Sequence, residues 1–208
     1  MTTLNTKFTD AEEIDFMNHP ADGPPFLELQ NIQVATWEAK SQMIQRLQEA
    51  VLRNDVTQES VGSTKAMVLD VKRRIEECIE DIIQPEDPQK FALRWILEEV
   101  CVNSGISHGN EGDKSKIFEA IYGLDTKTNE VVMYIGDQGE GFDPLKVPDP
   151  TVSLARLEKS SGRGLHTMDA LQLSRLGEGA QCIYLPIHEG SAMCREFVLK
   201  IPLDRAED

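Results

Sequence analysis

The sequence predicts an α/β fold, helices packed on a β-sheet, from three observations. Two long stretches, Thr64 to Ile83 and Phe91 to about Gly109, repeat apolar residues at helical spacing. Two β-rich runs, Lys116 to Asp125 and Glu130 to Gly136, are joined only by Thr126-Lys127-Thr128-Asn129, which makes an antiparallel hairpin. Two further strand-like runs, QCIYLPI and EFVLKIP, follow near the C-terminus and close a sheet. A chain of 208 residues suits one main domain, with or without an extension, and is long enough to bury a substantial core.

Taken in order, residues 1 to about 25 combine acids with His19-Pro20-Ala21-Asp22-Gly23-Pro24-Pro25. That composition buries little surface and breaks regular structure, so it reads as a mobile arm or linker. The run FLELQNIQVATW alternates loosely like a strand. Glu38 to Arg53 then carries Met43, Ile44, Leu47, Ala50 and Val51 at helical spacing. The polar stretch Asn54 to Ser63 reads as a separator, with a boundary near Ser63. We therefore expect an N-terminal extension over residues 1–60 and a domain over 61–208. The helix from Thr64 shows Val68, Val71, Ile75, Cys78, Ile79 and Ile82 on one face. Gln84-Pro85-Glu86-Asp87-Pro88 stops it and starts the next: Asp87 can accept free backbone N–H groups and Pro88 suits a first helical position. That helix should end near His108-Gly109, where glycine takes a left-handed cap.

Charge and cysteine usage exclude several classes. A net charge of −15 and a pI near 4.7 argue against binding nucleic acid or an anionic membrane through a general field, since both need clustered Lys and Arg. The four cysteines, Cys78, Cys101, Cys182 and Cys194, are widely spaced and lack any C-x-x-C, so they read as free thiols of a cytosolic protein. The N-terminus has neither a basic start nor an apolar core, and no run reaches membrane-spanning length, so a soluble, cytoplasmic chain is expected.

Three polar features stand out against this frame. Glu99 and Asn103 lie four residues apart, one above the other, at the margin of a helix whose stripe is Leu93, Ile96, Leu97, Val100 and Cys101. They suit either a site or a solvated edge. The strand Glu130 to Gly136 runs straight into Asp137-Gln138-Gly139-Glu140-Gly141-Phe142-Asp143-Pro144, where a carboxylate at a strand end is followed by two glycines that admit a ligand's close approach. A plain turn reads equally well; a calcium loop does not, because the acids are too few and wrongly spaced. After the long stretch from Leu145 to Ser161, either a functional lid or disordered, Ser160-Ser161-Gly162-Arg163-Gly164-Leu165 opens a helix with Leu165, Met168 and Leu171 on one side. Backbone N–H groups at such a helix start attract phosphate.

E-x-x-x-N on a helix, D-x-G-x-G after a strand and G-R-G before a helix together resemble the N, G1 and G2 boxes of the GHKL ATP-binding superfamily. More narrowly, E-x-x-x-N-x-x-x-H-G (Glu99 to Gly109), D-x-G-x-G-F-D-P (Asp137 to Pro144), V-P-D-P-T (Val147 to Thr151) and S-G-R-G-L (Ser161 to Leu165) look like the bacterial anti-sigma factor serine kinases. The resemblance covers roughly residues 64 to 203. It implies a Bergerat-type two-layer α/β sandwich, a mixed and mostly antiparallel sheet with helices on one face and ATP between them. Asn103 would bind Mg²⁺, Asp137 would take the adenine amino group, and Gly139 and Gly141 would leave room for the nucleotide. His108 and Gly109 would complete its contacts from the N box, and Gly162, Arg163, Gly164 and Leu165 would hold the phosphates. Glu99 would be the catalytic base toward a protein serine.

The sequence departs from that family twice. Ser104-Gly105 follows Asn103 where small apolar residues are usual, and a helical glycine costs about 1 kcal/mol, so fraying or a kink is expected there. The late threonine near the phosphates is replaced in Ala180-Gln181-Cys182. By resemblance, the function is an ATP-dependent protein serine kinase and anti-sigma factor that phosphorylates an anti-anti-sigma protein and sequesters a sigma factor, as a dimer. An ATP-binding regulatory module with little turnover is the alternative. The catalytic domain of a histidine kinase ranks below both, because His19 lies in a Pro/Gly stretch and His108 within the N box. Residues 1–60 have no assigned role; their helix would mediate dimerisation, cover the site or pack on the sheet.

Overall fold

The computed structural model describes residues 32–106, 112–139, 173–187 and 192–203. Among these the strands are β1 (Ile32–Val34), β2 (Val56–Thr64), β3 (Gly112–Asp125), β4 (Glu130–Asp137), β5 (Gln181–Tyr184) and β6 (Arg195–Pro202). The helices are α1 (Trp37–Leu52), α2 (Lys65–Ile83) and α3 (Asp87–Ile106). One sheet holds all six strands in the order β1-β5-β6-β4-β3-β2. Only the pairing of β1 with β5 is parallel, so the sheet is mixed and mostly antiparallel, as expected.

Alternation along the strands divides the core in two. Phe118, Ala120, Tyr122, Val131, Met133, Ile135, Phe197 and Leu199 face the stripe of α2 (Val68, Val71, Ile75, Ile79) and that of α3 (Leu93, Ile96, Leu97). Ile121, Val132, Tyr134 and Val198 point the other way and pack against Leu47 and Ala50 of α1. Both faces of β4 are therefore covered, and its sequence reads as a nearly unbroken apolar run. Helices α2 and α3 share one face, as the sandwich requires, while the helix of the N-terminal extension takes the opposite face. That helix packs on the sheet. Polar contacts anchor it: Lys40 donates to the carbonyl of Pro186 at 2.7 Å and pairs with Glu196, while Arg46 donates to Asp125 at 2.7 Å and pairs with Glu130.

Residues 54–63, expected as a polar separator, are corrected by β2, which pairs with β3 from Val56 to Thr64 and so runs across residue 60. The strand lies at the sheet's edge, where only Val56 and Ser63 are buried, and its polar side chains meet polar partners. Gln58 donates to Glu119 at 2.8 Å, and Glu59 accepts from Arg74 of α2 and from Tyr122. Helix α2 begins where expected, with the Thr64 hydroxyl accepting the Met67 N–H at 3.3 Å. Helix α3 begins one residue earlier than expected. The Glu86 carbonyl accepts the Lys90 N–H at 2.9 Å, and the Gln89 side chain reaches back to the Glu86 N–H at 3.0 Å, half of a capping box. Cys101 and Cys182 are buried and Cys78 and Cys194 partly so.

Candidate functional site

β4 ends on Asp137, whose position continues the side-chain face of Val131, Met133 and Ile135 toward α2 and α3. The residue is 1% exposed. A buried carboxylate is costly unless it is paired and hydrogen-bonded, and Asp137 is both. Arg195 Nε donates to Oδ2 at 2.7 Å, and the Gly139 N–H donates to Oδ1 at 2.8 Å. The ion pair follows from the sheet itself, because Asp137 and Arg195 are register partners on β4 and β6. The Gly139 bond is an Asx turn that bends the chain away from the strand. Two backbone links fix the same point: Cys194 N–H to the Asp137 carbonyl at 2.7 Å, and Gln138 N–H to the Ile117 carbonyl at 3.2 Å. The Gln138 side chain returns the second contact by accepting the Ile117 N–H at 2.9 Å.

Glu99 lies on the buried side of α3. It follows Ile96 by three residues and Ala92 by seven, the spacing of one helix face, and both of those are fully buried. Glu99 itself is half-buried. Electrostatics tie the region together. Burial pushes the Tyr184 hydroxyl far above its ordinary pKa, and the Glu99 charge adds to that while Arg195 opposes it. Burial likewise pushes the Cys101 thiol up to about 12, with Lys72, Glu98, Arg195 and Asp137 all within electrostatic reach. Thus the second half of α3, the end of β4 and the start of β6 form one neighbourhood, although residues 99, 137 and 195 are distant in sequence. Glu98, by contrast, points outward, half exposed, and pairs with Lys72 of α2 at 2.7 Å.

Asn103 lies on α3 one turn beyond Glu99. The helix runs on through Ser104 and Gly105 to Ile106. Gly139 is buried in the turn after β4. The remaining candidates, His108, Gly109, Gly141, Gly162, Arg163, Gly164 and Leu165, lie outside the described residues, as do the stretch from Leu145 to Ser161 and the helix expected from Leu165. Ala180 and Cys182, where the family's late threonine is missing, are both buried within the helix-side core.

The residue that the sequence did not reveal is Arg195. It stands at the start of an apolar run with nothing unusual around it, and only strand register brings it to Asp137.

A mixed sheet with a buried acid at a strand end, and a helix that carries a half-buried glutamate and an asparagine one turn later, are the elements of a GHKL-type ATP-binding domain. The family model of the histidine kinase-like ATPase domain matches residues 35–173, and the chain belongs to that family. The matched span includes α1 and β2, which the resemblance over residues 64 to 203 left out. No curated protein matches the chain. Among the described residues no helix is long and apolar enough to cross a membrane.

Proposed function

We propose that this protein is an ATP-dependent serine kinase that phosphorylates an anti-anti-sigma protein and, in its other state, sequesters a sigma factor, acting as a homodimer in the cytoplasm. The observation that carries the nucleotide part is the Asp137 carboxylate, buried and fixed by Arg195 and Gly139. A carboxylate accepts hydrogen bonds and cannot donate them, so it fits the exocyclic amine of adenine. The buried Gly139 beside it carries no side chain to obstruct a flat base. The narrower reading, kinase toward a protein serine, is supported by the motif set from Glu99 to Leu165.

In this reading Asp137 binds the base and Asn103 would hold Mg²⁺, a hard ion suited to an amide oxygen and phosphates. Bound Mg²⁺ would neutralise phosphate charge. Gly141 makes room for the nucleotide, and His108 and Gly109 complete its contacts. Gly162, Arg163, Gly164 and Leu165 cradle the phosphates with backbone N–H groups. Glu99 would accept the proton of the partner's serine as that oxygen bonds to the γ-phosphorus and the bond to the β,γ-bridging oxygen breaks, releasing ADP, so the protein supplies positioning and the partner supplies the nucleophile.

The test incubates the protein with labelled ATP, Mg²⁺ and an anti-anti-sigma domain. Label is expected on the partner's serine, lost in Glu99→Gln and kept in the control Glu98→Gln, with ATP binding intact in both. Undiminished transfer in Glu99→Gln would remove Glu99 as the base. A second reading, a module that uses ATP to set its shape for a partner, is favoured by one observation: Ala180 and Cys182 are core residues and bring no hydroxyl to the phosphates. It expects ATP-dependent capture of the partner without label.

A further inference from the structure

We propose that Arg195 is a positioning residue for base selection: it holds the Asp137 carboxylate in one orientation, and so makes the site choose a purine bearing an amine. The inference rests on the nucleotide reading above and names a residue on which its specificity depends. Arg195 is 11% exposed at its side chain and Asp137 1%, so this is an interior ion pair, not a rim contact. Its partners are fixed by backbone register from both sides, Asp137 opposite Arg195 on the antiparallel pair, with the Cys194 N–H closing on the Asp137 carbonyl at 2.7 Å. Nε occupies one carboxylate oxygen at 2.7 Å and the Gly139 N–H the other at 2.8 Å. The carboxylate therefore cannot rotate without breaking a charge-assisted bond.

The chemical consequence concerns position 6 of the purine. A carboxylate attracts the amine of adenine and repels the carbonyl oxygen of hypoxanthine. Without the charge-assisted bond from Nε the carboxylate can turn about its Cβ–Cγ bond, and no oxygen is then held in the one place where it meets the amine and repels the carbonyl. Loss of Arg195 should then erode discrimination between the two bases more than it weakens nucleotide binding as a whole. A different role, Arg195 as a competitor that must leave before the base enters, makes the opposite forecast.

The experiment measures the affinities of ATP and ITP, each with Mg²⁺, for the full chain and for Arg195→Gln and Arg195→Lys by calorimetry. The unaltered protein should prefer ATP. Arg195→Gln should lose that preference by tenfold or more, and Arg195→Lys, which keeps the charge, should retain most of it. A merely structural role would lower the melting temperature and leave the ratio of the two affinities unchanged. An unchanged ratio in a folded Arg195→Gln protein, or tighter ATP binding by it, overturns the proposal. Should Arg195→Gln not fold, the Arg195 Nε–H signal in the nitrogen-resolved NMR spectrum of the unaltered protein decides: it should persist on adding Mg-ATP, and its loss overturns the proposal. If the unaltered protein binds neither nucleotide, the nucleotide reading falls and this inference with it. ATP binding with a selectivity indifferent to Arg195 removes this inference alone.

Discussion

Asp137 sits where a strand end, an ion pair and a turn coincide, so its substitution has two separable effects. Asp137→Ala should weaken ATP binding by about 2 kcal/mol, roughly thirtyfold, as loss of a charged hydrogen bond requires. Unchanged affinity by calorimetry would refute its role at the base. The same substitution strands the guanidinium of Arg195 in the interior, and removing one partner of a buried pair costs about 3–5 kcal/mol, visible as a lower urea midpoint. Cys101 gives an independent reading of the same neighbourhood. With its thiol buried and pushed up to about 12, it should resist alkylation at mild pH in the folded protein and react only on unfolding. Rapid labelling of Cys101 under native conditions, read by mass spectrometry, would show that the region opens.

The helices behave as cores rather than as propensities. Ile75 of α2 is fully buried against the sheet, and Ile75→Ala should cost about 2–5 kcal/mol by chemical denaturation. Thr64→Ala, which removes the hydroxyl capping Met67, should cost about 1 kcal/mol. A much smaller loss at Ile75 would mean that α2 packs loosely. These elements were legible in the sequence because a stripe such as Val68, Val71, Ile75 and Ile79 repeats at one period, and because the hairpin between Asp125 and Glu130 has little other way to turn. Strand β2 was not, since at the edge of a sheet Gln58 and Glu59 find polar partners and the strand carries no apolar alternation. The face taken by α1 was also hidden: Leu47 and Ala50 announce a buried stripe but not which side of the sheet it meets. Of the site, Glu99 and Asp137 were readable as polar residues in apolar surroundings, whereas Arg195 required knowledge of strand register, which pairing creates and local sequence does not encode.

For the whole molecule, the ion pairs that join α1 to the β3–β4 hairpin contribute to the response to acid. Burial pushes the Asp125 carboxyl up, but hydrogen bonds and charge from Arg46 outweigh it and leave the pKa below its ordinary value. For Glu130 burial is likewise outweighed, by Arg46 and Lys200. A carboxyl whose folded pKa is depressed contributes stability that is complete above its unfolded value, about 4, and is lost as pH falls through the folded one. The urea midpoint should therefore drop between about pH 5 and pH 2, and the drop should be shallower in Arg46→Met. An equal drop in both proteins would assign the acid sensitivity elsewhere. If the nucleotide reading holds, Mg-ATP at a hundred times its dissociation constant should add about 2.7 kcal/mol and raise the melting temperature by several degrees.

The parallel pairing of Ile32–Val34 with Cys182–Tyr184 places the first described strand beside one about 150 residues later. During synthesis, at roughly 5–20 residues per second, that strand waits on the order of ten to thirty seconds for its neighbour to be made. Its sheet edge cannot form in the nascent chain before then, and α1 has β5 and β6 to cover only once both have been made. The sheet thus closes last where the earliest and a late described strand meet, after the strands between them in sequence have been made.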